Sequence, residues 1–300
     1  VQIQSLSVVV PGRCVNNCAF CVSQTHESPY DDVVSPIFHQ GRGEPTPEYV
    51  GWVEREYRDR LAFARDNGTN VAILTGATEP LARAKFVDWF AKINQSLDRP
   101  FRWVEVQSTG VFLVTKPFHR WDCLYRASVK TIALSVSDPF DDENNMRIIG
   151  VPTELQFKLE DVCGQALLRH LNVRICVNMT DALRNVTPQQ LFDRVRELGA
   201  QQIMLRRLYT SEGHTEKDEW VRQHALGTEE IEVYRRYIAE NGKPLERLPF
   251  GAMRYSLGGL STVLDEDCMA QEVKESIRYL ILREDCHLYS RWEDEASRLF

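Results

Sequence analysis

The chain alternates between short β-branched runs and longer segments with helical periodicity. Residues 3–10 read as a strand that runs straight into a cysteine-containing loop. Over residues 48–67, Val50, Val53, Tyr57, Leu61 and Ala64 recur with charges between them, the spacing of an amphipathic helix, and Asn67-Gly68 supplies a stop. Strand-like runs at 71–74, 103–107, 131–136, 173–178 and 202–208 then alternate with helical segments at 81–96, 116–127, 154–171, 187–198 and 228–240. Pro117 is placed in the first turn of its helix, where a missing N–H costs nothing. Thr187 and Pro188 read as an N-cap and first helical residue, with Gly199 as the stop. Repeated strand–helix alternation predicts parallel strands, right-handed crossovers and outer helices. Ligands in such α/β sheets sit at the C-terminal ends of the strands, so the loop after the first strand falls on the functional face.

Beyond residue 242 the pattern changes. Runs at 253–257, 262–264 and 277–282 read as strands, and 278–292 as a hairpin turning at 284–287. The expected division is therefore residues 1–242 and an extension, 243–300, that caps or extends the first part. Two polar segments stand apart. Residues 26–47 carry Tyr30 and Phe38, with Arg13 and Arg42 nearby, and follow the cysteine loop closely enough to help close a site. Residues 212–224 are strongly charged and read as a solvated surface loop rather than a lid.

At 300 residues with 43% hydrophobic and 26% charged, the chain can bury a large core, which excludes a disordered protein. No apolar run approaches bilayer length, so no membrane span is expected. The net charge of -7 argues against a dominant face for duplex nucleic acid. The chain starts at Val1, which predicts a trimmed start, and shows no targeting pattern; the expected compartment is the cytoplasm.

Eight cysteines change the picture. Cys123, Cys163, Cys176, Cys268 and Cys286 are scattered, and the first three read as buried small hydrophobes. The other three form Cys14-Val-Asn-Asn-Cys18-Ala-Phe-Cys21, a triplet that chance produces with odds of roughly 0.006 in such a composition. Three thiolates on one short loop can converge on a soft metal centre. Zinc would need a fourth ligand, for which His26 and His39 are poorly spaced. An iron–sulfur cubane held by three cysteines leaves one iron open to an exogenous ligand. Either a structural zinc protein or a cluster enzyme fits the spacing.

The triplet, with Phe20 before its third cysteine, resembles the cluster loop of the radical S-adenosylmethionine (SAM) enzymes. That resemblance implies an open, partial (β/α)6 barrel, a [4Fe-4S] cluster on Cys14, Cys18 and Cys21, and SAM as the ligand of the fourth iron. Thr75-Gly76-Ala77-Thr78-Glu79-Pro80, after the second strand, resembles the family's Gly-Gly-Glu-Pro segment, with Thr78 where its second glycine would stand. It implies that Glu79, helped by Gly76 and Thr78, receives the ammonium of SAM; the plain reading is a turn with Pro80 opening a helix. The family commonly places a Ser or Asp at the end of the fourth strand, which points to Ser135 and Ser137, with Asp138 following. Asn178 and Arg206, ending the fifth and sixth strands, are further cofactor contacts implied in this way, with Arg207 and Arg147 behind them. Phe20 would pack near the adenine. The residues 107–110 could form a polar floor or a satisfied turn.

The resemblance implies a reductively generated radical, an electron donor such as flavodoxin or ferredoxin, and a small-molecule, nucleotide or peptide substrate. The net reaction, oxidoreductase or lyase, stays open, as does an alternative role as activase of a glycyl-radical enzyme. Cys268 and Cys286 are too few for a second cluster; Cys286, at a hairpin tip, is a candidate hydrogen donor if the hairpin covers the barrel mouth.

Overall fold

The structure is a computed structural model that describes residues 2–24, 32–38, 43–76, 78–117, 119–211, 214–248, 251–266, 272–273, 276–292 and 294–299. His26, Tyr30, His39, Arg42 and Cys268 lie outside these residues.

Six strands in chain order form the centre of one sheet: β1 (Gln2–Val9), β2 (Val71–Thr75), β3 (Trp103–Ser108), β4 (Val129–Val136), β5 (Asn172–Asn178) and β6 (Gln202–Arg206), each parallel to the next. The crossovers carry α1 (Pro47–Asp66), α2 (Ala84–Gln95), α3 (Val111–Thr115), α4 (Arg120–Arg126), α5 (Asp142–Ile149), α6 (Leu159–Leu167) and α7 (Pro188–Glu197). Then come α8 (Glu216–His224), α9 (Thr228–Asn241) and strands β7 (Lys243–Arg247), β8 (Met253–Leu257), β9 (Leu260–Asp265), β10 (Glu272–Val273), β11 (Ser276–Leu282) and β12 (Leu288–Tyr289). β11 and β12 form the expected hairpin.

Two late strands extend the parallel array. β11 lies parallel to β1 at one side, and β9 parallel to β6 at the other. The order is β10-β11-β1-β2-β3-β4-β5-β6-β9-β8-β7, and among the described residues the sheet does not close. It is an open barrel-like α/β array whose parallel run has eight strands instead of six.

Alternation along the strands sorts the two faces. Leu74, Val106, Leu134, Ile175 and Leu205 join the core under the helices. Thr75, Gln107, Ser135, Cys176 and Arg206 project from the opposite face by the same period of two. On the helix side, α1 starts at Thr46, whose hydroxyl accepts from the Tyr49 N–H, with Pro47 first in the helix. It buries Val53, Tyr57, Leu61 and Ala64, and the Tyr57 ring meets Trp89 of α2 at 4.7 Å.

Several sequence expectations need correction. Pro117 does not open a helix over 116–127; it lies between α3 and α4. The helix expected over 154–171 is shortened to Leu159–Leu167: residues 153–155 form a separate 3₁₀ turn, and the backbone is extended at Gln156 and Lys158 before the helix opens. Helix α5 and strand β7 were not expected. Residues 214–224 are not a loop: Thr215 caps α8 in a reciprocal capping box with Asp218. Phe38 sits on the helix side, edge-on to Phe86 at 5.9 Å and to Trp89 at 5.8 Å, and so does not close a site at the strand ends. Among the described residues, no helix is long and apolar enough to cross a membrane.

Candidate functional site

Register places the strand ends on one rim. Val9 pairs with Thr75, Leu74 with Val106, Ser108 with Leu134, Val136 with Val177, and Asn178 with Arg206. The cysteine loop leaves β1 on this rim and is held from three sides. Thr78 Oγ1 donates to the Arg13 carbonyl at 3.1 Å, and the Arg83 guanidinium donates to the same oxygen at 2.9 Å. The N–H groups of Asn17 and Ala19 donate to the carbonyls of Gly150 (3.0 Å) and Ile148 (2.9 Å), so the loop hangs on the C-terminal end of α5. From α8, Lys217 Nζ donates to Asn17 Oδ1 at 2.8 Å and to the Cys18 carbonyl at 2.5 Å.

The α5 contact requires glycine. Gly150 caps α5 at φ 60°, and a Cβ there would stand 2.6 Å from the carbonyl carbon of Asn17. Gly150→Ala therefore combines left-handed strain with a backbone collision. The expected loss is at least about 2 kcal/mol in urea unfolding of the apoprotein, with reduced iron uptake.

The three cysteines are half-buried and none is in a disulfide. Burial pushes the Cys14 thiol up, against the pull of the backbone N–H groups of Asn16, Glu79 and Val15. Burial also pushes the Cys18 thiol far up; Cys21 and Cys14 add to the rise, and Lys217 opposes it. The thiols are thus close enough to act on one another. As arranged, no three His, Cys, Asp or Glu side chains among the described residues converge on a single ion-sized point. The donor set still fits a cluster: three soft thiols on one loop, with backbone N–H groups beside the Cys14 sulfur. Asn16 points inward, only 4% exposed; its Nδ2 donates to Thr109 Oγ1 at 3.1 Å, and its Oδ1 is buried without a partner. An orphaned acceptor beside the cysteines leaves capacity for a donor.

The turn after β2 lies against β1. Gly76 has φ 123°, and a Cβ would stand 2.8 Å from Val9 Cγ1 and 3.2 Å from the Val10 nitrogen. Ala77 lies outside the described residues. Glu79 caps the 3₁₀ turn Pro80–Ala82, which realises the plain reading of the motif. Its carboxylate does more than cap. Oε1 accepts from the Leu81 N–H (3.2 Å) and Ser108 Oγ (2.7 Å); Oε2 accepts from the Thr109 N–H (2.9 Å) and Thr109 Oγ1 (3.0 Å). Burial raises the Glu79 pKa, and these hydrogen bonds hold the rise back. Each oxygen already has two donors, so a ligand ammonium reaching Glu79 has to share or displace one. Ser108 and Thr109 are the polar turn of the third strand, and this contact gives them their place in the site.

Ser135, Ser137 and Asn178 come together. Asn178 Nδ2 donates to Ser135 Oγ at 3.0 Å and lies 3.3 Å from both Ser137 Oγ and the Val136 carbonyl. Ser137 and Asn178 are buried, whereas Ser135 is half-buried. Asp138 is spent on its loop, where Oδ1 accepts from the N–H groups of Phe140 and Asp141, and Oδ2 from Asn144 Nδ2. Arg206 is half-buried at the end of β6, in register with Asp265 of β9. Arg207 and Arg147 are exposed, the latter donating to Asn144 Oδ1.

Helix α8 supplies what sequence reasoning missed. Asp218 is buried; that raises its carboxyl, but hydrogen bonds from Thr215 and Ser211 outweigh the effect and bring it down to about 2. Lys217, beside Asp218, meets the cysteine loop. Trp220, one turn on, meets Phe20 at 6.1 Å between ring centroids and stacks on His224 at 4.5 Å. The capping residues Thr215 and Asp218 were the local signal for this helix; nothing local pointed to its contact with Cys18.

Among the remaining cysteines, Cys123, Cys163 and Cys176 are buried. Cys286 is also buried, at φ 63°, within the helix-side core and beside Glu56 and Arg60 of α1. It packs toward α1.

No family model and no curated protein matches the sequence. Solved structures match the fold. A structure of anSMEcpe with bound AdoMet aligns over 98% of this chain and 77% of that chain, with a TM-score of 0.58 and 13% identity. The same protein with AdoMet and the Kp18Cys peptide gives a TM-score of 0.57 at 12% identity, over 99% and 77% of the two chains. Coproporphyrinogen III oxidase (HemN) from Escherichia coli, a radical SAM enzyme, gives 0.52 at 11% identity, over 81% of this chain and 54% of that one.

Proposed function

We propose that this chain, which has the fold of the radical SAM enzymes, is itself one of them. The observation that carries the reading is the seating of the Cys14, Cys18 and Cys21 loop on the strand-end rim, gripped from α5, α8 and the Glu79 turn. Those cysteines would hold a [4Fe-4S] cluster. Bound there, such a cluster would supply the electron for reductive cleavage of SAM and so the radical chemistry.

The chain's own residues bind and orient. Gly76 lets the Glu79 turn lie against β1, which brings the Glu79 N–H beside Cys14. Thr78 and Glu79 would meet the ammonium end of SAM. Ser135, Ser137 and Asn178 are already a joined polar group at the ends of β4 and β5, suited to ribose hydroxyls. Phe20, backed by Trp220, offers an aromatic face to the adenine. Arg206 offers a cation for a carboxylate. The substrate would be a small polar metabolite, a nucleotide or a peptide, and the electron donor a flavodoxin or ferredoxin in a reducing compartment.

Anaerobic reconstitution with iron and sulfide tests the reading. The expected result is about four iron atoms and as many sulfides per chain, with 5′-deoxyadenosine formed from SAM and dithionite. One zinc per chain without sulfide, or no SAM cleavage with any reductant, overturns it.

A further inference from the structure

We infer that Lys217 is a positioning residue whose charge holds the cysteine loop and raises the reduction potential of its cluster. The inference rests on the reading above and adds a residue to it. Lys217 lies 199 positions from Cys18 in sequence, yet its Nζ bridges Asn17 Oδ1 and the carbonyl of Cys18 itself. Neither end of this contact is loose. The Asp218 carboxylate gathers the N–H and hydroxyl of both Ser211 and Thr215, at 2.6 to 3.2 Å, and so fixes the first turn of α8. Trp220 lies three residues beyond Lys217, on the same helix face, and its ring meets Phe20 of the loop. The loop is tied on its other side to α5.

The electrostatic consequence follows from position. As cluster ligands the three cysteines would be thiolates, carrying negative charge into a half-buried loop, and the Glu79 carboxyl stands beside Cys14. Reduction adds one more negative charge. A cation within hydrogen-bond reach of a ligand's own backbone stabilises the reduced form more than the oxidised one, because the interaction grows with the charge it meets; at the half-buried Lys217 and Cys18 it is only partly screened. A purely mechanical latch would hold the loop without this bias in potential.

Lys217→Met and Lys217→Arg separate the two. Wild type and both variants are reconstituted anaerobically, iron and sulfide are counted, and the cluster is titrated with EPR detection of the reduced state. Lys217→Met is expected to lower the reduced-to-oxidised ratio at a fixed poise about tenfold, a shift of about 59 mV for one electron. Lys217→Arg is expected to stay within about twofold of wild type. Loss of iron from Lys217→Met with retention in Lys217→Arg supports the loop-holding half of the inference, since Arg keeps both the positive charge and the N–H donors that Met lacks. Equal potentials in all three proteins overturn it, and so does equal loss of iron from both variants. A wild-type chain that takes up no iron and sulfide fails earlier: it overturns the cluster reading and takes this inference with it.

Discussion

Cys18→Ala is expected to strip the reconstituted protein of its iron and sulfide and to lower 5′-deoxyadenosine formation by about a thousandfold or more. Two remaining thiols cannot hold a cubane that already lacks a fourth protein ligand. The fold should survive the change. Cys18 is only half-buried, and the bonds it makes for the loop run through its backbone: its carbonyl accepts from the Cys21 N–H at 3.2 Å and from Lys217. Ala keeps that carbonyl, so unfolding of the apoprotein should shift by less than about 1 kcal/mol. Cys163→Ala is the control. Cys163 is fully buried in α6, so its replacement should cost about 1 kcal/mol and leave iron content unchanged. Iron and sulfide analysis beside urea unfolding checks both, and a Cys18→Ala protein with full iron content would sink the ligand assignment.

Glu79→Ala is expected to destabilise the apoprotein by about 3–5 kcal/mol, before any cofactor is considered. The carboxylate is buried and satisfies four donors, one in its own 3₁₀ turn and three at the end of β3. A hydrogen bond to a charged group contributes about 1.5–3 kcal/mol, and leaving its donor buried and unmet costs about as much again for the worst placed; the terms do not add fully. Glu79→Gln keeps the shape and one acceptor oxygen, so about half of that loss is expected. Urea unfolding measures this structural part. SAM affinity, measured by equilibrium dialysis on reconstituted Glu79→Gln, measures the other. If Glu79 also receives the ammonium, affinity falls further than the stability loss explains. Unchanged affinity would confine Glu79 to holding β2 and β3 together.

Sequence patterns announced the site in unequal measure. The cysteine triplet is legible because its three thiols lie within eight residues, so spacing alone says they can meet. Glu79 is legible as a turn residue for the same local reason. Its grip on Ser108 and Thr109 is not, because those lie 29 and 30 residues away and only the pairing of β2 with β3 brings them near. Asn16 sat in plain view between two cysteines, but its inward orientation toward Thr109 is a tertiary fact. The misplaced helices start later than the apolar spacing suggests: α4 opens at Arg120, beyond Pro117, and α6 at Leu159, after a 3₁₀ turn and the extended residues Gln156 and Lys158.

The sequence by itself determined the six central strands in their order, the hairpin near the C-terminus and the loop that carries the three thiols. Each of these depends on residues close in the chain, whose periodicity and chemistry act locally. Tertiary structure alone decided that β9 and β11 complete the parallel array at its two sides, that Cys286 turns toward α1, and that a charged stretch expected in solvent is a helix with Lys217 on the Cys18 carbonyl. Those outcomes depend on which distant surfaces bury one another, and a charge read along the chain cannot reveal which backbone it will meet.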